Sequence, residues 1–440
     1  MNNYKLIFFF EILFCITILV NARIDCQRGE IFEICQSSGS LKSVRQLINN
    51  PTNLTLKNIV SIAETALDDV SPTIFNLTVF GENRDIELPS SMKLWNLRIL
   101  NFQESFVSLE SPAIKELKQL EHLSLGSNTK NLAASKFYRM KTMTLSNSQL
   151  DDVTIDLPKY LQELKIIGST MPAIKANTFT NTKNIYFLTL VNSKICKIDK
   201  GAFSGLSKLR FVDLRDNKLE EFPHSIFTDS PKIHYLDISY NNIGEINQFS
   251  NNIDYLDYLN LSGNKIKKIK KVFSSLSKLD TLELSNNLIE DIEMDAFKGT
   301  KLTTIWLQGN KLKSLKNGIF DSLSNTLENI DLRSNEISYI EDETFFGLRL
   351  LNLDLSNNQL KSIQPAIFSG LTIAKLLDLG NNQFNDWKNI MLGNFDSRII
   401  RFSNDLDSNK LFGNLYVLAK GNLKFTRIHV KGSLMIKKFN

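Results

Sequence analysis

Residues 256–266 read "LDYLNLSGNKI", and the same frame returns as "LRFVDLRDNKL" (209–219), "LDTLELSNNLI" (279–289), "LTTIWLQGNKL" (302–312) and "LLNLDLSNNQL" (350–360). Each stretch is L-x-x-L-x-L-x-x-N-x-L with conservative exchanges. Residues two apart face one side of an extended strand, so both apolar side chains of L-x-L point inward together. A single strand of this kind cannot bury them; stacked copies make a continuous core. The first strand leucine or its substitute falls at Leu100, Leu123, Met143, Leu164, Leu188, Val212, Leu236, Leu259, Leu282, Ile305, Ile330, Leu353, Leu377 and Ile400, at intervals of 20 to 25 residues. Leu77 extends the series by 23 residues, and Leu54 adds a first, ragged turn.

Two further columns follow the same period. Asn217, Asn241, Asn264, Asn287, Asn310, Asn335, Asn358 and Asn382 stand five residues after the strand leucine. An amide there is placed to satisfy backbone groups of neighbouring turns that would otherwise be buried without a partner. Upstream the column reads Ser105, Asn128, Ser148, Ser169 and Ser193, which predicts a less regular ladder. Fifteen residues after the leucine come Phe179, Phe203, Phe227, Phe297, Phe320, Phe345 and Phe368.

These motifs resemble the extracellular leucine-rich-repeat family, with its typical repeats of 23–24 residues, over roughly residues 54–430. The chain looks like Toll-like receptor ectodomains and secreted leucine-rich-repeat proteins. The resemblance implies an α/β repeat solenoid: a right-handed horseshoe with a concave parallel β-sheet and a convex side of loop and 3-10 structure. It also implies that the phenylalanines pack as a spine under the convex side. Parallel strands lie about 4.8 Å apart, so fifteen give an arc on the order of 70 Å, a surface sized for a macromolecule.

In this family the residues beside the strand leucines face the concave side, where partners bind. There Phe187, Phe211, Tyr235 and Tyr258 occupy one column in four consecutive repeats, with Tyr186 and Tyr240 nearby. Aromatic rows of this kind serve interfaces, or they stack on one another across strands. The column between the two leucines carries Asp213, Asp237, Glu283, Asp331, Asp354 and Asp378, with Asn260 and Trp306 interspersed. Carboxylates so close repel, and the expected concave face is electronegative, suited to a partner with basic and apolar patches. The candidate ligand-binding residues are Phe187, Phe211, Tyr235, Tyr258, Asp213 and Asp237.

The 259–273 stretch "LNLSGNKIKKIKKVF" holds Lys265, Lys267, Lys268, Lys270 and Lys271. One repeat on stand Glu290, Asp291 and Glu293; Lys313, Lys316 and Glu341 follow, and Glu245 precedes Lys268. Alternating signs on successive coils predict a solvated edge paired with its neighbours, not an anion site. With a net charge of +5 the chain lacks the basic excess of a nucleic-acid binder, and no nucleic-acid partner is expected.

The first residues, "MNNYKLIFFFEILFCITILVNAR", read as a secretory signal over 1–22: Lys5 starts it, Leu6 to Val20 form the apolar core despite Glu11, and Val20 and Ala22 suit the cut. Residues 23–73 are then an amino-terminal flank in which Cys26 and Cys35 pair, 74–396 the repeats, and 397–440 degenerate repeats or a cap. No later stretch spans a bilayer, so the expected product is secreted and extracellular. Cys15 leaves with the signal, and Cys196, beside the inward Ile195, stays as an outward thiol that invites an interchain disulfide and a linked dimer. Three N-x-S/T sequons, Asn53, Asn76 and Asn260, fall on concave strands, and a glycan at Asn260 would screen one end of the aromatic row. The four-cysteine caps usual in the family are incomplete: "NNQFNDWKNIML" (381–392) has the opening of one without its cysteines.

His122, His224, His234 and His429 are scattered, without metal-ligand spacing or a nucleophile elbow. No catalysis, metal or cofactor is expected. The sequence predicts a non-enzymatic recognition protein for an extracellular protein or pathogen-surface ligand, in innate immunity or extracellular signalling. A matrix or adhesion role is the alternative.

Overall fold

The computed structural model describes residues 8–9, 12–19, 22–29, 32–38 and 40–47, then 53–384 apart from 87, 91–92, 107–111, 127–133, 151–155, 248 and 250–252, and finally 399–401, 415–420, 427–429 and 434–439. The chain divides into two compact units, Met1–Leu209 and Arg210–Asn440. Each contains a stack of coils in which each coil contributes one strand to a parallel sheet, and the first unit also carries the antiparallel strands Ile12–Leu19, Ala22–Gly29, Phe32–Ser37 and Ser40–Gln46.

In the first unit the strands Asn53–Lys57, Asn76–Asp85, Ile99–Phe106, His122–Gly126, Thr142–Ser146, Glu163–Ile167 and Phe187–Val191 pair in that order. Leu54, Leu77, Leu100, Leu123, Met143, Leu164 and Leu188 share one register position, so the short repeats between Leu123 and Leu164 keep their pairing. In the second unit Phe211–Asp213, Tyr235–Asp237, Tyr258–Asn260, Thr281–Glu283, Thr304–Trp306, Asn329–Asp331, Arg349–Asp354, Thr372–Asp378, Ile399–Arg401 and Arg427–His429 pair likewise. Ile400 and Ile428 continue the column of Leu377, so the degenerate end carries the ladder on; 385–398, with most of the cap-like segment, lies outside the described residues.

Helix is almost absent: among the described residues there are single turns at Pro112–Lys115 and Ser225–Asp229. Short 3-10 turns sit at Phe273–Ser275, Asp321–Leu323 and Pro365–Phe368. The architecture is a parallel β-solenoid, as the leucine period requires. The strand leucines are fully buried, and each buried side chain of this size contributes about 1.5–3 kcal/mol.

What ends each strand is a residue in the left-handed region. Asn147, Gly168, Asp216, Tyr240, Gly263, Asn286, Gly309, Ser334, Asn357 and Asn381 all have φ between 52° and 70°. They stand one position before the inward Asn or Ser column, and the turn they make points that side chain into the core. Tyr240 is the unusual member, since aromatic residues rarely take this backbone. A Cβ on Gly263 would lie 2.6 Å from the Tyr240 ring, so glycine in the next coil is the seat on which that ring lies. Met294 rests on Gly318 in the same way.

The asparagine ladder is as predicted. Asn287 Nδ2 donates to the carbonyls of Leu261 (2.9 Å), Leu284 (3.1 Å) and Ser285 (3.2 Å), and its Oδ1 accepts the Ile266 N–H (3.1 Å). It thereby ties its own turn to the preceding coil, and Asn241, Asn264, Asn310, Asn335, Asn358 and Asn382 do the same. The serine column is poorer. Ser169 Oγ accepts the Ser148 N–H at 3.0 Å, while the buried Ser148 hydroxyl has no partner.

The phenylalanine spine is buried throughout. Phe297, Phe320, Phe345 and Phe368 stack in sequence with centroids 6.0 to 6.1 Å apart. Between Phe227 and Phe297 the sequence period leaves a gap, where Phe249, 5.8 Å from Phe227, and Phe273 are buried at shifted positions.

Candidate functional site

The strands Phe211–Asp213, Tyr235–Asp237 and Tyr258–Asn260 place Phe211, Tyr235 and Tyr258 at one register position. Their neighbours Val212, Leu236 and Leu259 point inward, so the three rings stand on the outer sheet face. They stack nearly parallel: Phe211 and Tyr235 are 4.3 Å apart and tilted 10°, Tyr235 and Tyr258 are 4.6 Å apart and tilted 2°. That spacing is close to the distance between strands, about 4.8 Å. Similar side chains in one rotamer on parallel strands fall into a stack without bending the sheet. Each ring is half-buried by its neighbours and presents its edge outward. Phe187 stands at the matching position of its own strand in the first unit and is 49% exposed.

The acidic column is arranged differently from the freely exposed carboxylate row expected above. Asp213, Asp237, Asp331 and Asp378 are buried. Each turns back to accept the N–H two residues on: Arg215 (3.1 Å), Ser239 (2.9 Å), Arg333 (3.1 Å) and Gly380 (3.0 Å). Asp354 does so with Ser356 (2.9 Å) and Asn260 with Ser262 (2.9 Å). A short side chain with an oxygen three bonds from Cα is what this turn needs, and it supplies a partner for an N–H that leaves the ladder. The column is therefore first a device for ending strands.

Asp213 and Asp237 also organise the base of the aromatic stack. Arg215 donates from Nε (2.9 Å) and Nη2 (2.8 Å) to the two Asp213 oxygens, and its Nε lies 3.8 Å from Asp237 Oδ2. Asp237 Oδ1 accepts the Ser239 hydroxyl (2.6 Å), and Oδ2 accepts from Tyr235 Oη (3.3 Å) and Asn260 Nδ2 (3.1 Å). Both carboxylates are thus spent inside the sheet, and the charged group that reaches solvent is the Arg215 side chain, 47% exposed. Arg333 repeats the arrangement on Asp331 at 3.1 Å. Both arginines stand in D-x-R, at 213–215 and 331–333, a spacing that is legible in the sequence.

Burial raises the carboxyls of Asp237 and Glu283 above the ordinary range, and it raises the Tyr235 and Tyr258 hydroxyls. Asp331 is pushed up to about 6, chiefly by burial and further by the charges of Asp354 and Asp378, against the Arg333 N–H and guanidinium. Between pH 4 and 6 the folded protein holds a proton at Asp331 that the unfolded chain has already released, so this group's contribution to stability falls as pH rises through that window. Asp331→Asn keeps an oxygen for the Arg333 N–H, as Asn260 does for Ser262, and removes the charge. Its expected result is a melting temperature raised by about 2–4 °C at pH 7.5, a range set by ~1 kcal/mol after allowance for solvent screening. The same substitution leaves the melt at pH 4 unchanged. Scanning calorimetry at the two pH values checks it, and an equal shift at both would contradict the titration.

Three of the five lysines of the run, Lys268, Lys270 and Lys271, are paired, and three of the expected partnerships fall differently. Lys268 reaches Asp291 (3.1 Å) and Glu293 (3.2 Å), and Lys271 reaches Asp295 (3.4 Å). Glu245 pairs with Lys270 (2.9 Å) and not with Lys268, and Lys316 pairs with Asp291 (2.8 Å) and not with Glu293. Glu341 accepts the Asn317 N–H in place of a lysine contact. The coil pairing Lys268↔Asp291, Ile269↔Ile292 sets these choices.

The other candidates fall as follows. Cys26 and Cys35 form a disulfide between facing strands. Cys196 is exposed, with its Sγ 3.2 Å from the Pro172 carbonyl oxygen. His122 Nδ1 lies 2.8 Å from Thr142 Oγ1 and His234 Nδ1 lies 2.7 Å from Asp257. His224 is packed among Phe222, Phe227 and Phe249, and burial lowers its pKa. The His429 side chain lies outside the described residues. Among the described residues no three His, Cys, Asp or Glu side chains converge on a metal site, and no helix is long and apolar enough to cross a membrane.

A family model described as a BspA type leucine rich repeat region matches residues 247–375 in six copies, and a leucine rich repeat model matches 183–243 and 208–266. No curated protein matches the chain in sequence. Among solved structures, the chain is similar to the Drosophila Toll–Spatzle complex, with 14% identity, TM-score 0.58, and coverage of 91% of this chain and 73% of that one. It is also similar to the plant peptide hormone receptor RGFR1 in complex with RGF2 (20% identity, TM-score 0.51, 90% and 74% covered). A Leptospira interrogans leucine-rich-repeat protein aligns at 22% identity and TM-score 0.51, over 71% of this chain and 86% of that one. Leucine-rich repeats are thus matched over residues 183–375, and with the registered leucines and the asparagine ladder the fold of the chain is a leucine-rich-repeat solenoid similar to that of Toll.

Proposed function

We propose that this is a secreted, non-enzymatic recognition protein that binds an extracellular protein or pathogen-surface ligand on the outer sheet face. The observation that carries the reading is the stack of Phe211, Tyr235 and Tyr258, held edge-out beside the half-exposed Arg215. Stacking fixes each ring before a partner arrives, so docking loses little side-chain entropy. Asp213 and Asp237 act from below: they hold Arg215 and Tyr235 in place, and they are not themselves the contact surface. A partner with apolar side chains to cover the ring edges and an acceptor group for the exposed Arg215 fits this combination. The Toll and RGFR1 structures are complexes with Spatzle and RGF2, which supports a protein-type ligand here. A role in innate immunity or extracellular signalling is the finer form of the proposal. A matrix or adhesion role shares the same surface.

The test is capture from extracellular fluid by immobilised protein, compared with Phe211→Ala/Tyr235→Ala. Each ring at the centre of an interface is worth at least about 2 kcal/mol, roughly 30-fold in affinity, so the double variant should lose the captured partner. Secretion should be intact, because neither ring contributes to the interior. Undiminished capture by a well-secreted double variant would end the assignment of this patch. The identity of the captured molecule then separates recognition of a signal or pathogen from adhesion to matrix.

A further inference from the structure

The three sequons occupy unlike places in the fold, and the difference bears on modification. Asn53 and Thr55 are both exposed, on alternate outward positions of the strand Asn53–Lys57 whose Leu54 and Leu56 are buried. Asn76 and Thr78 stand directly opposite them on the next strand, in register, and are both half-buried. The Asn76 Oδ1 is closed off from solvent without a hydrogen-bond partner. Asn260 is closed more firmly. Its Nδ2 donates to Asp237 (3.1 Å), and its Oδ1 accepts both the N–H (2.9 Å) and the hydroxyl (2.7 Å) of the buried Ser262. The atom that would carry a glycan at 260 is thus engaged with Asp237, and the hydroxyl that completes that sequon is folded against the same amide.

We infer that Asn53 is the one N-linked glycosylation site of the folded protein, and that Asn76 and Asn260 are structural amides within unused sequons. The inference rests on the secretory reading above. The transfer joins the Asn53 Nδ2 to the anomeric carbon of the sugar, with a lipid-linked oligosaccharide diphosphate as donor; the Nδ2 loses a proton and the lipid diphosphate leaves. A glycan attached to the unfolded chain at 260 would take one of the two Nδ2 hydrogens and would have to stand in the sheet between Tyr258 and Ser262, against the buried Asp237 that accepts from the same nitrogen. A glycan at 76 would open the covered amide. Its stem would also lie about 5 Å from one at 53, the spacing of neighbouring strands, which leaves no room for both sugars to lie on the sheet. Chains modified at Asn53 alone fold without any such loss. The aromatic stack beside Asn260 then stays free of sugar, which removes the screening expected from the sequence.

Peptide mapping of the secreted protein, with enzymatic deglycosylation in heavy-oxygen water, reads each site separately. The expected result is label at Asn53 with none at Asn76 or Asn260. Asn53→Gln and Thr55→Ala should each convert the protein to a single band with the deglycosylated mobility. Asn76→Gln and Asn260→Gln should leave glycan mass unchanged. Major occupancy at 76 or 260, or an unmodified Asn53 in a chain that has lost residues 1–22, overturns the inference and leaves secretion standing. A chain that keeps residues 1–22 and carries no glycan anywhere overturns the secretory reading and the inference with it.

Discussion

Alanine at Asn287 is expected to unfold the middle of the second unit. The side chain donates to three carbonyls and accepts one N–H, and it is buried in a position water does not enter. Each buried backbone group left unpaired costs about 1–3 kcal/mol. Losing the Ile266 N–H partner and the Leu261 carbonyl partner together therefore costs about 2–6 kcal/mol, out of a total near 5–15 kcal/mol for an ordinary domain. The loss also falls on a junction between coils, and a solenoid is held by nearest-neighbour junctions. Secretion of Asn287→Ala should drop severalfold, and its urea midpoint should fall. Asn287→Ser is the informative companion, since the first unit uses serine in this column and Ser169 Oγ still accepts a neighbour's N–H. It should keep the link to Ile266 and retain a single O–H donor in place of the amide's two N–H, giving an intermediate midpoint. If Ser and Ala variants are equally stable, the amide is not what ties the coils.

Removing the ring of Phe320 should be comparably severe. Phe320 is fully buried and stacks on Phe297 at 6.1 Å and Phe345 at 6.0 Å. Phenylalanine to alanine at such sites costs about 3–5 kcal/mol, from lost transfer energy and the cavity left behind. Here the cavity interrupts a line of rings joining consecutive coils, so collapse on one side opens contacts on the other. Phe320→Leu refills part of the space and should recover most of the midpoint. The contrasting control is Phe211→Ala, which removes the same side chain from the outer face and is expected to change the urea midpoint far less. Equal destabilisation at 320 and 211 would show that the ring stack on the sheet, and not the spine, holds the coils together.

Asn287 and Phe320 are inward residues, and their columns stood in the sequence at fixed distances from the strand leucine. The same holds for Leu259 or Ile305. A residue facing the interior of a repeat has one place to go, because the coil before and the coil after are near copies. Period alone therefore located the core, the amide ladder and most of the spine. It failed at Phe249 and Phe273, where the coils are irregular and a ring reached the spine from a shifted position.

The candidate site was half legible. The column of Phe211, Tyr235 and Tyr258 followed from the repeat, and so did the positions of Asp213 and Asp237. Two alternatives for the rings, stacking and display, were both open in the sequence; the structure shows stacking, with the edges left outward. The direction of the carboxylates was not legible. An aspartate on a strand face chooses among solvent, a neighbouring cation and the N–H two residues on, and only the folded backbone at the strand end brings the Arg215 N–H to 3.1 Å from Asp213. Arg215 joined the site for the same reason.

The sequence by itself determined the stacking of coils, the registered leucines, the inward asparagines and the side of each strand on which the aromatic row stands. Hydrophobic period and repeat length fix these, since burial tolerates no other phase. The tertiary structure alone decided which lysine meets which carboxylate, where Asp237 and Asn260 spend their hydrogen bonds, and which sequon remains open. Outward side chains have several partners within reach on adjacent coils, and competition among contacts of similar strength is settled by distances that only the folded backbone sets.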